Sequence, residues 1–107
     1  MLPDQRQHPR KIFRTTVSIF LNEGRGYEAS SVDLSIGGIC VTLRGKNLQP
    51  GQMCALSFNL FTRGKAHKIN TVAKVAYSVC SGNEFKIGFQ FMKMDAGCTA
   101  AIESFMT

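Results

Sequence analysis

The sequence has few of the residues on which catalytic and metal sites depend. Its 107 residues include no tryptophan and only two histidines, His8 and His67, which lie far apart in the chain. The four cysteines form no C-x-x-C pair, although zinc ligands usually arrive in such close pairs. Ser35 has no G-x-S-x-G elbow around it and no histidine nearby, so it lacks the setting of a nucleophile. We therefore expect no enzyme, no catalytic residue, no metal and no cofactor.

Long apolar segments are also missing. No apolar signal segment opens the chain, and no apolar run approaches the about 18 residues of a membrane-spanning helix. We therefore expect a soluble, reduced, cytoplasmic protein with no membrane span. In that setting the cysteines are most simply small buried hydrophobic residues, at positions 40, 54, 80 and 98.

Acidic residues are scarce relative to basic ones. Thirteen Lys and Arg stand against seven Asp and Glu, which gives a net charge of +6. An apolar fraction of 44% and a charged fraction of 19% indicate a globular chain, and the length fits one domain. Such a charge balance suits an anionic partner, whether nucleic acid, nucleotide or membrane surface.

Half of the net charge lies in the first fourteen residues. Pro3 and Pro9 and the lack of any periodicity before the first strand are typical of a flexible segment. We therefore predict a flexible N-terminal arm over residues 1–14 and a folded domain over residues 15–107. The arm has one acid, Asp4, and four cations: Arg6, Arg10, Lys11 and Arg14.

Alternation of apolar and polar residues dominates the rest of the chain. It predicts six strands, which span residues 15–21, 27–34, 39–43, 54–60, 69–79 and 85–91. The period then changes: Asp95 is a candidate N-cap, and apolar residues recur at helical spacing up to Met106. Six antiparallel strands with short turns favour a closed barrel or a sandwich, with a short terminal helix.

The stretch Asp33-Leu34-Ser35-Ile36-Gly37-Gly38 is the densest group of polar and glycine residues between two strands. Asp and Ser can cap a tight turn, with the glycines providing positive φ. They can also face a ligand that the glycines allow to approach the backbone. The stretch alone leaves both interpretations open.

Arg6-x-x-x-Arg10, followed by Asp33-x-Ser35-x-x-Gly38, resembles the two motifs of the PilZ domain family. Pro50-Gly51, Val72-Ala73-Lys74-Val75 and Ile87-Gly88-Phe89-Gln90-Phe91 stand where that family has similar residues, so the resemblance covers nearly the whole chain. It implies an all-β fold, a six-stranded antiparallel β-barrel with a short C-terminal α-helix. It also implies binding of the bacterial second messenger cyclic di-GMP (c-di-GMP) between a mobile N-terminal loop and the barrel surface.

The resemblance gives the ligand-binding residues as Arg6 and Arg10 on the arm and Asp33, Ser35, Gly37 and Gly38 on the barrel. A guanidinium can bind phosphate oxygens bidentately or donate to guanine O6 and N7. A carboxylate such as that of Asp33 can accept from the N1–H and N2–H₂ groups of guanine. Backbone N–H groups at the glycines can face an anion.

Four further residues are weaker candidates for this ligand. Tyr77 could stack on a guanine, since the family often has an aromatic residue near this place, or it could be ordinary core. Lys11 and Arg14 are candidates because Arg10-x-x-x-Arg14 also matches the first motif. Gln5 stands where many members carry a further arginine, and this favours one c-di-GMP per chain over two.

We therefore expect a c-di-GMP receptor or adaptor, monomeric or weakly dimeric, whose arm orders on ligand binding. It would signal to an effector protein in motility, biofilm or exopolysaccharide control. One alternative is a small basic β-barrel that binds single-stranded nucleic acid on an aromatic platform. We expect Phe85, Phe89 and Phe91 to be core instead, and hence no nucleic-acid partner. A ligand-free interaction module is the other alternative.

Overall fold

The computed structural model describes residues 9–107. This part of the chain forms seven strands and one helix. The six longer strands and the helix are those that the sequence pattern predicts, whereas the two-residue β1 was not predicted. The elements are β1 (Lys11–Ile12), β2 (Thr16–Phe20), β3 (Gly26–Leu34), β4 (Gly38–Arg44), β5 (Met53–Thr62), β6 (Lys65–Ser81), β7 (Glu84–Lys93) and α1 (Ala96–Met106).

The six longer strands close into an antiparallel barrel. Their order is β3-β2-β5-β6-β7-β4, and β4 pairs back onto β3. Closure pairs the strands that would otherwise be exposed edges. The predicted six-stranded barrel is confirmed, and the sandwich is excluded. The short β1 adds to β3 at the end that carries Asp33.

The barrel core follows the alternation of each strand. Val17, Ile19, Leu56, Leu60 and Ile87 are among the side chains that are fully or almost fully buried. Because successive side chains of a strand point to opposite faces, a period of two places these residues on the inner face.

The helix covers one end of the barrel. Asp95 accepts a hydrogen bond from the N–H of Cys98 at 2.8 Å and caps the helix as predicted. Cys98, Ala101 and Ile102 of α1 are buried. The ring of Phe105 packs edge-on against that of Phe13, with 5.3 Å between centroids. The segment before β2 is thereby joined to the helix.

Strand β6 departs from the prediction at its C-terminal half. Its pairing with β7 shifts register between Val75 and Tyr77, which marks a bulge that displaces every later side chain by one position. Val79 was expected to share the inner face, but it is exposed. Cys80 is also exposed, so the prediction that all four cysteines are buried is wrong for this one.

The predicted arm falls partly outside the described residues. Within residues 9–14, Lys11 and Ile12 pair with Leu34 and Asp33, and Phe13 is buried in the core. This part of the arm therefore lies against the barrel. Within residues 9–107, no helix is long and apolar enough to cross a membrane.

Candidate functional site

The two sequence motifs meet in an ion pair. Arg10 lies just before β1, whose pairing of Ile12 with Asp33 brings the start of the described chain alongside the end of β3. Nη1 of Arg10 donates to Oδ1 of Asp33 at 2.7 Å. Both side chains are about three-quarters buried, with 22% and 23% of their surface exposed. A charge on the N-terminal segment is thus held directly on the barrel motif.

A bulge in β3 positions Asp33. The pairing of β3 with β4 shifts register between Ser31 and Asp33, so that Val32 is the extra residue. The carbonyl of Val32 accepts the N–H of Phe13 at 3.1 Å. Since a bulge bends the strand and increases its twist, the carboxylate of Asp33 is turned toward the segment that carries Arg10.

Ser31 fixes the N-terminal segment to the barrel and was missed by the sequence analysis. Its buried hydroxyl donates to the carbonyl of Phe13 and accepts the N–H of Thr15 at 2.8 Å. The available signal was a serine at an inward position of β3, two residues after the buried Ala29. A polar group at such a position needs hydrogen-bond partners.

Ser35 closes the turn between β3 and β4. Its side chain is buried, and its Oγ accepts the N–H groups of Gly37 and Gly38 at 3.2 and 3.1 Å. Its own N–H donates to the carbonyl of Gly38 at 2.9 Å. These contacts are those of a capped turn. The two glycine N–H groups that could have faced an anion are bound by this hydroxyl instead.

Position 38 requires glycine because a side chain would not fit, and not because the backbone has a positive φ. Its φ lies outside the left-handed region, and a Cβ at this position would stand 2.1 Å from the carbonyl oxygen of Phe89. The expectation that this glycine provides a positive φ is therefore wrong. The absent side chain lets β4 approach β7 closely where the two strands begin to pair.

Tyr77 lies half-buried beside the ion pair. Its hydroxyl donates to Sγ of Cys40 at 3.6 Å, and its ring covers Gly88, where a Cβ would come within 2.2 Å of the ring. Burial raises the pKa of Tyr77 to about 12, and the hydrogen bond to Cys40 adds to this effect. The charges of Arg10 and Asp33 act on the same phenol in opposite directions, so all three groups share one electrostatic environment.

The other candidate residues lie elsewhere or outside the described chain. Lys11 reaches the helix, where its Nζ donates to the carbonyl of Phe105 at 2.9 Å and lies 4.9 Å from the ring centroid. Arg14 is exposed and lines a separate cleft with Phe61. Arg6 and Gln5 fall outside residues 9–107. The structure therefore brings together Arg10, Asp33 and Tyr77, next to the Ser35 turn.

The guanidinium of Arg10 keeps donors for a further partner. It has five N–H groups, of which one binds Asp33. Its Nε is buried and makes no hydrogen bond within residues 9–107. A buried donor without a partner is unfavourable, and an acceptor at this place would relieve that cost. The ion pair therefore orients a guanidinium that can still bind an acceptor. This arrangement suits an anionic ligand with hydrogen-bond donors for the carboxylate.

The aromatic residues of β7 form core, as predicted. Phe89 is buried, and Phe85 and Phe91 pack against the core cluster. They leave no stacking platform of the kind that a single-stranded nucleic acid would use. No group of three or more His, Cys, Asp or Glu suited to a metal ion occurs in the part of the chain that the structure describes.

Comparison with known proteins agrees with this architecture. Among solved structures, the Bacillus subtilis inhibitor of motility MotI (DgrA) is 25% identical with a TM-score of 0.81, over 95% of this chain and 49% of that one. Escherichia coli YcgR in complex with c-di-GMP is 16% identical with a TM-score of 0.78, over 96% and 45%. The chain thus spans about half the length of these two proteins.

A shorter structure is similar over most of both chains. The PilZ domain of Escherichia coli YcgR with c-di-GMP is 17% identical with a TM-score of 0.72, over 95% of this chain and 88% of that one. Among curated protein sequences no match is found. The family model of the PilZ domain matches residues 4–107. This chain therefore belongs to the PilZ domain family.

Proposed function

We propose that this chain is a non-enzymatic c-di-GMP receptor whose site is built on Arg10 and Asp33. The observation that carries the proposal is their 2.7 Å ion pair, which joins the two family motifs across 23 residues. The structures of YcgR that contain c-di-GMP support the choice of ligand.

The ligand chemistry fits these two side chains. c-di-GMP has two phosphodiester charges and two guanines. The free N–H groups of Arg10 would bind phosphate oxygens, or O6 and N7 of a guanine, in the bidentate geometry that a planar guanidinium allows. Asp33 would accept from N1–H and N2–H₂ of guanine while it keeps Arg10 oriented.

The neighbouring residues would position these two and shape the site. Ser35 and Gly37 hold the turn that follows Asp33, and Gly38 lets the start of β4 lie close on β7. We assign Ser35 and the two glycines to this positioning role. The ring of Tyr77, packed on Gly88 beside the ion pair, would support a guanine by stacking.

The signal would come from the N-terminal segment. Arg6 would add a second guanidinium to the ligand, and Gln5, in place of a further cation, would favour one c-di-GMP per chain. Lys11 and Arg14 point away from Asp33 and would not contact the ligand. Ligand binding would order the arm before Pro9 against the barrel, beside the Arg10 that the ion pair already holds there. This would present a new surface to an effector protein in the cytoplasm that controls motility, biofilm or exopolysaccharide.

Isothermal titration calorimetry with c-di-GMP tests the proposal. We expect saturable binding with one ligand per chain. Cyclic di-AMP is the matched control, because adenine lacks the N1–H donor that Asp33 would bind while the phosphodiester charges are the same. A random oligonucleotide controls for nonspecific attraction to a basic protein. Absence of c-di-GMP binding, or equal binding of cyclic di-AMP, would contradict the proposal.

A further inference from the structure

The barrel wall has a gap between β2 and β5. Strand β2 pairs with β5 only where residues 18–20 lie against residues 55–57. Beyond that point the two strands diverge, and the chain before β2 bends toward β3. A cleft of about 420 Å³ separates residues 12–15 from residues 59–61, with Phe105 of α1 also lining it.

One wall of the cleft is a free strand edge. Strand β5 continues to Thr62 and pairs with β6 along its whole length. On its other side, residues 58–62 have no strand partner within residues 9–107. Such an edge presents unpaired N–H and C=O groups that can form a ladder with an added strand.

The opposite wall presents a backbone pair as well. Phe13 and Thr15 direct their N–H and C=O groups to Val32 and Ser31 of β3. In an extended chain, successive residues point these groups to opposite sides, so those of Arg14 face the cleft. Within residues 9–107 the N–H and C=O of Arg14 make no hydrogen bond.

The side chains that flank the cleft are apolar with a basic rim. Ile12 and Phe61 are 73% and 68% exposed, more than any other large hydrophobic residue that the structure describes. Arg14 lines the cleft, and Nζ of Lys11 lies 4.9 Å from the centroid of the Phe105 ring that also lines it. A strand bound here would therefore gain affinity from apolar side chains that contact Ile12 and Phe61. Negatively charged side chains would add affinity through the basic rim.

We propose that this cleft binds an extended acidic segment of a partner protein, added as a strand between the edge of β5 and Arg14. The unpaired backbone on both walls favours a peptide in β conformation over a lipid or a nucleic acid. The basic rim disfavours a second copy of this chain, because two such rims would repel each other.

The cleft and the candidate ligand site share one segment. Residues 10–14 have Arg10 at one end and Arg14 at the other. Between them, Ile12 pairs with Asp33 and Phe13 is buried in the core. Coupling between the two sites rests on the proposed function, in which c-di-GMP held by Arg10 and Asp33 would fix this wall of the cleft. By linkage, bound c-di-GMP would raise the affinity for the acidic segment, and the bound segment would raise the affinity for c-di-GMP by the same factor.

NMR spectroscopy of the ¹⁵N-labelled chain tests the inference, with a seven-residue peptide of alternating glutamate and valine, capped at both ends, as probe. We expect saturable shifts of the amides of Arg14 and of residues 59–61. A peptide with lysine in place of glutamate, and an acidic peptide with N-methylated valines, should each bind at least about ten-fold more weakly, since they lose the charge or the backbone donors.

Phe61→Asp should weaken binding of the acidic peptide by about ten-fold or more, because the new carboxylate repels the peptide and an apolar contact is lost. Val79→Asp is the matched control, since Val79 is an exposed apolar residue at the far end of β6 and its replacement should leave peptide binding unchanged. Adding c-di-GMP should strengthen peptide binding about five-fold or more.

Three results would overturn the inference: no shift with the acidic peptide, shifts confined to another face, or equal shifts with the lysine peptide or with anionic lipid vesicles. Peptide binding that c-di-GMP leaves unchanged would overturn the linkage. Phe61→Asp should bind c-di-GMP like the parent chain, so failure of the cleft and failure of the nucleotide site are distinguishable on the same samples.

Discussion

Within residues 9–107, two ion pairs join distant parts of the chain, and they differ in how far they are exposed to solvent. Arg10 and Asp33 meet at 2.7 Å with less than a quarter of either side chain exposed. Arg44 and Glu84 meet at 3.3 Å with 79% and 40% exposed. The second pair lies across β4 and β7 at residues that already face each other in the ladder. The first joins the barrel to a segment whose strand β1 is only two residues long.

The difference indicates that the Arg10–Asp33 pair does more than support two strands that are already paired. An exposed ion pair contributes about 0–1 kcal/mol and is screened by salt. A pair that is largely removed from water binds more firmly, and loss of one member leaves the other without its partner. The Arg10–Asp33 pair therefore orders the segment and the guanidinium, whereas the backbone ladder orders β4 and β7 without help from Arg44.

The largest expected effect is on c-di-GMP affinity. Arg10→Ala and Asp33→Asn should each weaken binding by roughly 100-fold, since truncating one member of a desolvated charge pair costs about 2–5 kcal/mol. Arg44→Ala is the matched control and should stay within about two-fold, because an exposed pair contributes little. Calorimetric titration of the three variants measures this contrast. Equal effects of the Arg10 and Arg44 substitutions would remove the distinction between the two pairs.

The second effect is on folding stability. Gly38 and Arg44 lie at opposite ends of the same ladder between β4 and β7. Gly38→Ala should lower the free energy of unfolding by about 1–3 kcal/mol, because the new Cβ would press on the carbonyl of Phe89 and the backbone would have to move. It should also weaken c-di-GMP binding by displacing the turn that follows Asp33.

Gly97→Ala is the matched control for Gly38→Ala. Gly97 lies in α1, and a Cβ there would meet only Oδ1 of Asp95 at 3.5 Å, an ordinary contact. Since alanine favours a helix over glycine by about 1 kcal/mol, this change should raise the stability. Urea denaturation measures both variants. A Gly38→Ala protein as stable as the parent would show that close approach of β4 to β7 is not required.

The third effect separates the two ion pairs in the absence of ligand. Arg10→Ala should lower the free energy of unfolding by about 1–2 kcal/mol, since a charged hydrogen bond is lost in a partly buried place. Arg44→Ala should change it by less than about 0.5 kcal/mol. Denaturation at low and high salt checks the assignment. A larger loss for Arg44→Ala, or a loss for Arg10→Ala that salt abolishes, would reverse it.

The smallest effect is on the titration of Tyr77. Its pKa is raised to about 12 from 10, so the fold favours the protonated phenol. This stabilisation is complete below pH 10 and is lost as the pH rises through about 12. Because the Arg10 charge lowers this pKa, Arg10→Ala should extend the loss of stability to still higher pH, whereas Arg44→Ala should not.

Denaturation in alkaline buffers checks this prediction, with Tyr77→Phe as the reference that lacks the titrating group. If Tyr77→Phe loses stability with pH as steeply as the parent chain does above pH 10, the phenol is not the group responsible. An unchanged profile in Arg10→Ala would show that the guanidinium does not act on the phenol.

Much of the barrel could be predicted because most strands have one face in the core and one in solvent. That condition produces an alternation of apolar and polar residues from Thr15 to Phe91. The change to helical spacing after Asp95 is likewise visible within a short stretch of sequence. The exceptions depend on tertiary context. The two residues of β1 are too few to show a period, and the bulge near Tyr77, which exposes Val79, has no local residue that marks it.

The candidate site was less accessible to sequence reasoning. Nothing local indicates that Arg10 and Asp33 meet, and only the resemblance to the PilZ domain family linked them. The residues of the turn left two interpretations open, and the contacts of Ser35 within the turn are those of a cap. Ser31 was missed because its hydroxyl serves a segment that lies far away in sequence. The ligand roles of Arg6 and Gln5 stay predictions.

The central claim, that Arg10 and Asp33 form the c-di-GMP site, is tested most directly by titrating the ¹⁵N-labelled chain with c-di-GMP and following the backbone amides. We predict saturable shifts at Arg10 and along residues 33–38, with Arg44 and Glu84 unaffected. Shifts that leave residues 33–38 unchanged, or no shifts at all, would contradict it.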